Sequence, residues 1–336
     1  MKEKILFVTD AWFPQTNGVV TTISHLYEEL KDQYEITIID PSLFEQVPVF
    51  FYPEISLAIP KKIWKKIDKI EPDYIHIFTE GPLGIAAKAY CLKNNLKHTT
   101  SFHTNFPLLL SQSLYFPEDL TWEMTKAFHA TSSGVLVTNQ GMRDVLIEKG
   151  FEDNMAVWSR GVDRKKFFYK EKTKTNNPLS ILCVSRVSKE KNIKDFCLLS
   201  ETTNFTYTLV GDGPKLNSFK NKFKSVYYEG KIPGSELHPY YHNADAFFFP
   251  SRFDTFGVVM IESFACGTPV VAYNEVAPKG LITPGVNGYI VDNVHEVPEA
   301  LMEASKLSRK RVYESSRQFS WENVSNIFVS EIVKIR

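Results

Sequence analysis

The chain has 336 residues, of which 43% are hydrophobic, so two domains with separate cores are expected. Lys plus Arg and Asp plus Glu number 39 each, which argues against a nucleic-acid-binding protein that relies on a strong positive field. The four cysteines lack metal-ligand spacing and are expected to be reduced core thiols of a cytoplasmic protein. No segment approaches the ~18 apolar residues of a membrane span, and the start, MKEKILFVTD, lacks a signal peptide's apolar stretch.

Short β-branched and aromatic runs alternate with segments of helical period along the whole chain. The runs of the first half are KILFVTD, YEITIID, DYIHIFT, HTTSFHT, GVLVTN and MAVWSR. Those of the second half are LSILCVS, FTYTLVG, SVYYEG, ADAFFFP, TPVVAY and GYIVD. This alternation predicts two doubly wound parallel-sheet α/β domains, at 1–168 and 179–318, with the polar stretch 169–178 as their linker. In such sheets ligands bind beyond the carboxyl ends of strands, in the crevice at which the loops meet.

The first such loop is AWFPQTNGVVTTI, in which Gly18 stands at the predicted start of a helix. The N–H groups of a helix start suit a phosphate or a sugar, and glycine lets the ligand approach the backbone. The alternative interpretation is a simple Asn17-Gly18 turn. The loop is not GxGxxG, which argues against a dinucleotide-dependent oxidoreductase.

The segment IPKKIWKKIDKI, residues 59–70, has the pattern of a basic amphipathic helix. Its predicted apolar face holds Ile59, Ile63, Trp64, Ile67 and Ile70, and its lysines are Lys61, Lys62, Lys65, Lys66 and Lys69. Such a helix lies on an anionic membrane, or it packs its apolar stripe on the first sheet with the lysines in water. The sequence leaves both interpretations open.

His103 follows another predicted strand, in TTSFHTNF. A lone histidine is more often structural than catalytic, and His103 differs from the other seven by its place at the expected ligand edge. The apolar stretch 105–117, NFPLLLSQSLYFP, comes directly after it and is interpreted as the lining of an acceptor channel or as core.

Two loops of the second half carry the charges expected at a nucleotide-sugar site. Arg186 and Lys191, in CVSRVSKEKNI, suit a diphosphate, although a solvated basic pair is the alternative. In PSRFDTFGVVMIESFACGTPVVA, a helix is predicted to begin near Phe256, Gly257 and Val258, whose N–H groups suit phosphate or sugar oxygens. The two carboxylates of that stretch, Asp254 and Glu262, suit sugar hydroxyls and a ribose diol, against the alternative of a helix cap and a solvated glutamate.

These motifs resemble those of the retaining glycosyltransferases of family four, which have the GT-B fold of two Rossmann-like domains. The family's acidic pair is similar to Asp254 and Glu262, its Arg/Lys pair to SRVSKEKN, and its GDGP motif to residues 211–214. FPQTNGVVTTI, TEGPLGIAAKAYCLK, TTSFHTNFP and WSRGVD look like stretches of one branch. That branch holds the glycosyl-diacylglycerol and sulfoquinovosyl-diacylglycerol synthases and bacterial α-mannosyltransferases.

The resemblance implies a role for each matching residue. Gly18 would lie by the β-phosphate and acceptor, His103 would contact the donor sugar, and Arg186 with Lys191 would hold the diphosphate. The remaining donor contacts implied are Asp254 to sugar hydroxyls, Phe256, Gly257 and Val258 through backbone N–H groups, Glu262 to the ribose, Gly213 near the phosphates, and Gly230, Lys231 and Ile232 near the base. No metal or other cofactor is implied, because the positive side chains stabilise the leaving diphosphate. The segment 319–336 would cross back onto the first domain.

Two residues depart from the family pattern. Asp254 is one methylene shorter than the commoner Glu, which puts its hold on a given hydroxyl, and the donor choice, in doubt. Asn192 stands where Gly is frequent, which puts the shape of its loop in doubt.

The expected reaction is transfer of glucose or glucuronic acid from a UDP-sugar to a lipid acceptor, favoured to be diacylglycerol. The enzyme would lie peripherally on the anionic inner face of the cell membrane. A GDP-mannose-dependent α-mannosyltransferase acting on a lipid or polysaccharide is the main alternative. A non-catalytic nucleotide-sugar binder and a sugar-nucleotide epimerase are alternatives from other classes.

Overall fold

The computed structural model describes residues 2–15, 17–49, 52–103, 105, 107, 117–172 and 175–336. The chain divides into two compact units, Met1–Arg160 with Trp321–Arg336, and Gly161–Ser320. The apolar stretch 105–117 interpreted above lies, apart from residues 105, 107 and 117, outside the described residues.

The first unit is built on a six-stranded sheet whose paired strands are all parallel, in the order β2-β1-β5-β6-β7-β8. Its elements are β1 (Lys4–Val8), α1 (Gly18–Leu30), β2 (Glu35–Ile39), β3 (Gln46–Val49), β4 (Tyr52–Ala58), α2 (Ile63–Ile70), β5 (Tyr74–Ile77), α3 (Pro82–Lys93), β6 (Thr99–Phe102), α4 (Glu118–His129), β7 (Val135–Val137), α5 (Gln140–Glu148) and β8 (Met155–Val157). The central strand β1 is buried from Ile5 to Val8, which explains its unbroken apolar run.

The second unit repeats this architecture, with a parallel sheet in the order β11-β10-β9-β12-β13-β14. Its elements are β9 (Ser180–Val184), α6 (Ile193–Thr202), β10 (Thr206–Val210), α7 (Leu216–Lys222), β11 (Val226–Gly230), α8 (His238–Asn243), β12 (Ala246–Phe249), α9 (Val258–Ala265), β13 (Val270–Tyr273), α10 (Val276–Lys279), β14 (Gly288–Val291), α11 (Val297–Ser305) and α12 (Arg309–Ser315). Phe247 and Phe248 of β12 belong to two different core clusters. The sheet is therefore covered on both faces, and the predicted pair of parallel-sheet α/β domains is confirmed.

The last helix, α13 (Trp321–Glu331), packs in the first unit. The Trp158 indole N–H donates to the Val324 carbonyl at 2.9 Å, and Phe328 makes an edge contact with Phe7. Trp321 stacks on His25 with ring centroids 4.3 Å apart. Buried aromatic surface therefore holds the C-terminal segment on the first sheet.

The boundary between the units differs from the predicted linker at 169–178, because the division follows Arg160. The polar stretch is fixed to the second unit by the buried carboxylate of Asp245. Lys172 donates to this carboxylate at 2.7 Å, and the N–H of Asn176 donates to it at 3.1 Å. The described part of this polar stretch is therefore hydrogen bonded to the second unit.

Helix α2 is shorter than its amphipathic pattern predicts, because it begins only at Ile63. Ile63 and Ile67 are buried against the first unit, whereas Trp64 is 49% exposed and Ile59, before the helix, is 41% exposed. The prediction of one apolar face holding Ile59 and Trp64 is therefore corrected. Ile63 and Ile67 reach the core fully, and Ile70 packs partly against it.

The antiparallel hairpin of β3 and β4 has no counterpart among the predicted strands. Val47 and Leu57 face each other in its register, and both are exposed. Within the residues that the structure covers, no helix has the length and apolar character needed to cross a bilayer.

Candidate functional site

Gly18 is the first residue of α1 and follows the loop after β1, as the sequence predicts. The Asn17 carboxamide oxygen accepts hydrogen bonds from the N–H groups of Val19 and Val20, both at 3.0 Å, and so caps the helix. A Cβ atom added at Gly18 would lie within 4 Å of no atom that the structure describes. The absence of a side chain at this helix start is therefore not required by internal packing.

His103 is buried at the end of β6 and is held by a buried guanidinium. The Arg160 Nη2 group donates to the His103 Nδ1 atom, and the two residues are 7% and 4% exposed. Arg160 also donates to the carbonyls of Trp158 and Ser159, each at 3.2 Å. The imidazole stacks parallel to the Phe78 ring, with centroids 5.8 Å apart. Its orientation is therefore fixed by polar and aromatic contacts together.

This contact determines which ring nitrogen of His103 carries the proton. A guanidinium can only donate, so Nδ1 accepts and the neutral ring carries its proton on Nε2. Burial, and then the charge of Arg160, hold the pKa of His103 well below its ordinary value. His103 is therefore neutral at physiological pH.

Part of the motif TEGPLGIAAKAYCLK has a structural explanation in the first unit. The Asp10 carboxylate accepts from the N–H of Leu83 at 2.8 Å and from the Thr79 hydroxyl at 2.7 Å. A Cβ atom at Gly81 would lie 2.4 Å from the Asp10 carboxyl carbon. Asp10, which follows β1, thus caps the start of α3. A side chain at position 81 would collide with the Asp10 carboxylate, which explains the glycine there.

In the second unit, the loop after β9 packs against the GDGP loop after β10. The Val187 N–H donates to the Asp212 carbonyl at 2.9 Å, and the Lys215 N–H donates to the Val187 carbonyl at 3.0 Å. A Cβ atom at Gly213 would lie 2.6 Å from the Val187 oxygen. Gly213 is therefore needed for this close backbone approach, which brings it beside the loop of the exposed Arg186.

Lys191 and Asp254 form an ion pair that joins the loop after β9 to the loop after β12. Their side chains are 26% and 23% exposed, so both heads remain accessible from outside. Asn192 adds a second tie, because its amide donates to the Pro250 carbonyl at 3.3 Å. The sequence had placed these residues at one site, and the structure brings Lys191 and Asp254 into contact.

Asn192 takes the place of the more frequent Gly without distorting the loop. Its φ of 50° lies in the left-handed region, which Asn tolerates better than most residues. Its side chain also donates to Asp195 at 2.7 Å, in the first turn of α6. The departure from the family pattern is thus accommodated locally.

Helix α9 begins directly after Gly257, whose φ of 79° lies in the left-handed region that favours glycine. A Cβ atom there would lie 2.6 Å from the Met260 Cε atom and 3.0 Å from the Phe249 ring. Phe256 is buried in the core, and Val258 packs partly against it. Because their side chains pack in the core, Phe256 and Val258 can contact a ligand only through their main-chain atoms.

Glu262 lies about one turn into α9 and is hydrogen bonded to a buried tyrosine. The Tyr241 hydroxyl donates to the Glu262 Oε2 atom at 2.9 Å. Burial is the largest influence on Glu262 and raises its pKa to about 7, against the opposing effects of Tyr241 and Lys166. This carboxyl group therefore titrates near neutral pH.

The expected base-binding segment follows β11. Gly230 has a φ of 74°, and a Cβ atom on it would meet no described atom within 4 Å. Lys231 is exposed, whereas Ile232 packs partly against the core. Lys231 is thus available to a ligand, and Ile232 has a structural contact as well.

In the second unit, the loop after β9 contacts two other loops. It meets the loop after β10 through the hydrogen bond of Val187 to Asp212, and the loop after β12 through the ion pair of Lys191 and Asp254. Gly18 and His103 belong to the first unit. The sequence reasoning did not single out Arg160 or Tyr241, although Arg160 stands within the quoted stretch WSRGVD. Across the described ranges, no cluster of three or more His, Cys, Asp or Glu side chains is arranged to hold a metal ion.

Comparison with known families covers most of the chain in two parts. Residues 16–166 match the family described as Glycosyltransferase Family 4, and residues 164–319 match the one described as Glycosyl transferases group 1.

Two relatives align along most of the chain. An alpha-monoglucosyldiacylglycerol synthase from Streptococcus pneumoniae is 26% identical, with 98% of this chain and 86% of that protein aligned. A GDP-mannose-dependent alpha-mannosyltransferase from Corynebacterium glutamicum is 25% identical, with 87% of this chain and 77% of that protein aligned.

Solved structures have the same fold. Sucrose-phosphate synthase from Thermosynechococcus elongatus matches with a TM-score of 0.80 at 16% identity, over 98% of both chains. The Anabaena protein HepE, in complex with UDP and glucose, matches with a TM-score of 0.74 at 15% identity, over 98% of both chains. These likenesses confirm the predicted fold.

Proposed function

This chain belongs to the family 4 glycosyltransferases and has their GT-B fold, and on that premise we propose that it transfers a hexosyl group to a lipid acceptor with retention of anomeric configuration. The proposed donor is UDP-glucose or UDP-glucuronate, and the proposed acceptor is diacylglycerol. The observation that carries the proposal is the ion pair of Lys191 and Asp254, because it joins a loop suited to phosphate to a loop suited to sugar hydroxyls.

The second unit is the proposed donor-binding half. Arg186 and Lys191 bind the diphosphate, the N–H groups at the start of α9 bind phosphate or sugar oxygens, and Glu262 binds the ribose diol. Gly213, Lys231 and the main chain of Ile232 complete the contacts, at the phosphates and the base. We assign to Asp254 the hydroxyls of the transferred sugar.

The proposed chemistry rests on fixed positive charge. The bond between the sugar C1 atom and the diphosphate oxygen breaks with its electron pair on the diphosphate, where Arg186 and Lys191 stabilise the charge. The acceptor hydroxyl oxygen bonds to C1 on the same face, and its proton passes to the departing diphosphate oxygen. The contact of Lys191 with Asp254 places the ammonium group beside the loop after β12 before the donor binds.

His103 is assigned to the transferred sugar as a hydrogen-bond donor. Its Nδ1 atom accepts from Arg160, so its ring N–H group is on Nε2. Its lowered pKa makes it a poor proton acceptor at neutral pH. His103 therefore orients a hydroxyl rather than removing its proton. Gly18, whose Cβ position is open, is assigned close approach to the donor phosphate and acceptor.

The lipid acceptor is supported by a relative and by one surface of the first unit. The Streptococcus pneumoniae relative is named as a diacylglycerol glycolipid synthase. The surface, which we call the basic-apolar surface, is formed by the segment 59–69 and has exposed apolar side chains at Ile59 and Trp64 and exposed lysines at Lys61, Lys62, Lys65 and Lys69. Exposed Trp beside lysines suits an anionic lipid surface, so we propose peripheral association with the inner face of the cell membrane.

Vesicle flotation tests the membrane part of this proposal. The protein is expected to float with anionic vesicles at low salt, and Trp64→Ser is expected to reduce that binding. Met302→Ser is the matched control, because Met302 is 43% exposed on α11, which belongs to the second unit. Equal flotation of both variants and the wild type would remove Trp64 from the proposal, and no flotation at all would remove the membrane.

A donor screen tests the reaction. Purified protein is incubated with diacylglycerol in anionic vesicles and with UDP-glucose, UDP-glucuronate or GDP-mannose, and the lipid product is analysed by NMR. An α-linked product from a UDP-sugar is expected. Product from GDP-mannose alone would favour the second candidate, an α-mannosyltransferase, which the Corynebacterium glutamicum relative supports by its name. An inverted product would refute the retaining mechanism.

A further inference from the structure

Tyr241 is a buried tyrosine whose hydroxyl donates a hydrogen bond to Glu262, a residue proposed to bind the nucleotide sugar. It lies in α8 with its side chain fully buried, and its ring packs near Phe167 and Phe247, with centroids 5.8 and 5.7 Å away. Its hydroxyl donates to the Glu262 Oε2 atom at 2.9 Å. A phenylalanine would fill this core equally well, so packing alone does not account for the hydroxyl.

We propose that Tyr241 is a positioning residue for the donor site, which holds the Glu262 carboxylate in place and in its ionised form for the ribose diol. This inference rests on the proposed function, because it takes Glu262 as the ribose-binding residue. Tyr241 itself contacts no donor atom in this account. It acts through Glu262.

The main chain of Tyr241 is held on the other side by a chain of hydrogen bonds. The Thr268 hydroxyl donates to the Tyr241 carbonyl at 2.6 Å, and Arg309 donates to the Thr268 hydroxyl oxygen at 2.7 Å. Arg309 also donates to the carbonyls of His242 and Ala244, at 3.0 and 2.8 Å, where α8 ends. The phenol is therefore a fixed donor, and Glu262 cannot rotate away without leaving a buried hydroxyl unpaired.

The hydrogen bond from Tyr241 uses only part of the accepting capacity of the Glu262 carboxylate. Tyr241 occupies a lone pair on Oε2, which leaves Oε1 and the remaining lone pairs for two sugar hydroxyls. An ionised carboxylate is an acceptor only, so it suits a diol, whereas the protonated form presents a competing O–H. Holding the charge on Glu262 therefore matters as much as holding its direction.

The groups that act on this charge can be named. Burial raises the pKa of Glu262 to about 7, while the Tyr241 hydroxyl from α8 and the Lys166 ammonium lower it. Cys266, on the same helix as Glu262, has its own pKa raised by burial to about 12 and stays an uncharged thiol. Loss of the Tyr241 hydroxyl must therefore raise the pKa of Glu262 further and reduce its ionised fraction at neutral pH.

The test is the affinity for UDP-glucose, measured by calorimetry from pH 6 to pH 8.5. The intact donor is used because its diphosphate has no terminal phosphate to titrate. In the wild type, affinity should rise with pH as Glu262 ionises. Tyr241→Phe should weaken binding about tenfold at neutral pH, the loss of one hydrogen bond to a charged group, and should shift the rise to higher pH.

Three further variants separate this role from packing. Tyr240→Phe is the matched control, because the neighbouring tyrosine donates to Glu229 instead, at 3.2 Å, and its loss should leave affinity and pH profile unchanged. Glu262→Ala should bind weakly at every pH. Adding Tyr241→Phe to Glu262→Ala should cause no further loss, because the hydroxyl then has no carboxylate to hold.

The outcomes are distinguishable from failure of the proposed function. If Glu262→Ala binds UDP-glucose as the wild type does, the ribose assignment fails and Tyr241 loses its role with it. If Glu262→Ala binds weakly but Tyr241→Phe keeps the wild-type affinity and pH profile, the proposed function stands and this inference is overturned. A further loss in the double variant would also overturn it, and that comparison remains valid if Tyr241→Phe lowers stability.

Discussion

Replacing Arg160 by methionine tests whether a buried guanidinium controls His103. Methionine fills a similar volume but offers no N–H group, so the contact to the His103 Nδ1 atom is lost. Loss of this donor removes the contact that keeps the ring proton on Nε2, so the proton can move to Nδ1. His103 would in that form present an acceptor, not a donor, at Nε2.

The magnitude follows from the bond that fixes the tautomer. A hydrogen bond to a charged group contributes about 1.5–3 kcal/mol, and about 1.4 kcal/mol corresponds to a tenfold change in rate. Because Arg160 and His103 are only 4% and 7% exposed, water cannot replace the lost donor freely. We therefore expect kcat/KM for glycosyl transfer to fall at least about tenfold in Arg160→Met.

The assay is steady-state transfer from the preferred donor, well below the unfolding temperature of each variant. Arg143→Met is the control, because it removes a more exposed guanidinium of the same unit, paired with Asp153. His103→Ala combined with Arg160→Met should be no worse than His103→Ala alone. A kcat/KM for Arg160→Met within about twofold of the wild type would refute the reasoning.

Three other substitutions are predicted from single observations. Gly18→Ala should leave thermal unfolding unchanged, because its Cβ position is open, yet reduce transfer; equal activity would show that no ligand needs that space. Lys172→Met should lower the free energy of unfolding by about 3 kcal/mol in a urea titration, because it leaves the Asp245 carboxylate buried without its cation, and an unchanged midpoint would contradict this. Asp254→Asn should bind UDP at least as tightly as the wild type, because the charge of Lys191 is released, while turnover of the UDP-sugar falls; a parallel loss of UDP affinity would argue against the division of roles.

Several strands could be predicted because they are apolar runs bounded by turn residues, as in the AFFF run of β12, which is followed by Pro250. The hairpin of β3 and β4 was missed because Pro48 and Pro53 lie inside its strands, and proline argues against a strand in sequence-based reasoning. The hydrogen bonds of the polar stretch 169–178 were equally invisible to sequence-based reasoning. Composition cannot reveal that a polar segment is tied to the buried Asp245.

The proposed site residues could be named from motifs because loops at the carboxyl ends of parallel strands share one edge. The buried partners of His103 and Glu262, which are Arg160 and Tyr241, could not be named from motifs. Arg160 is 57 positions from His103, and Tyr241 is 21 positions from Glu262, so no local spacing links them. Both contacts depend on side-chain packing between separate elements, which a single sequence does not display.

The most direct test of the account is a crystal structure of the protein with UDP-glucose bound. The account predicts diphosphate oxygens within hydrogen-bonding distance of Arg186 and Lys191, and the ribose diol on the Glu262 carboxylate. Nucleotide bound away from these three side chains would contradict it.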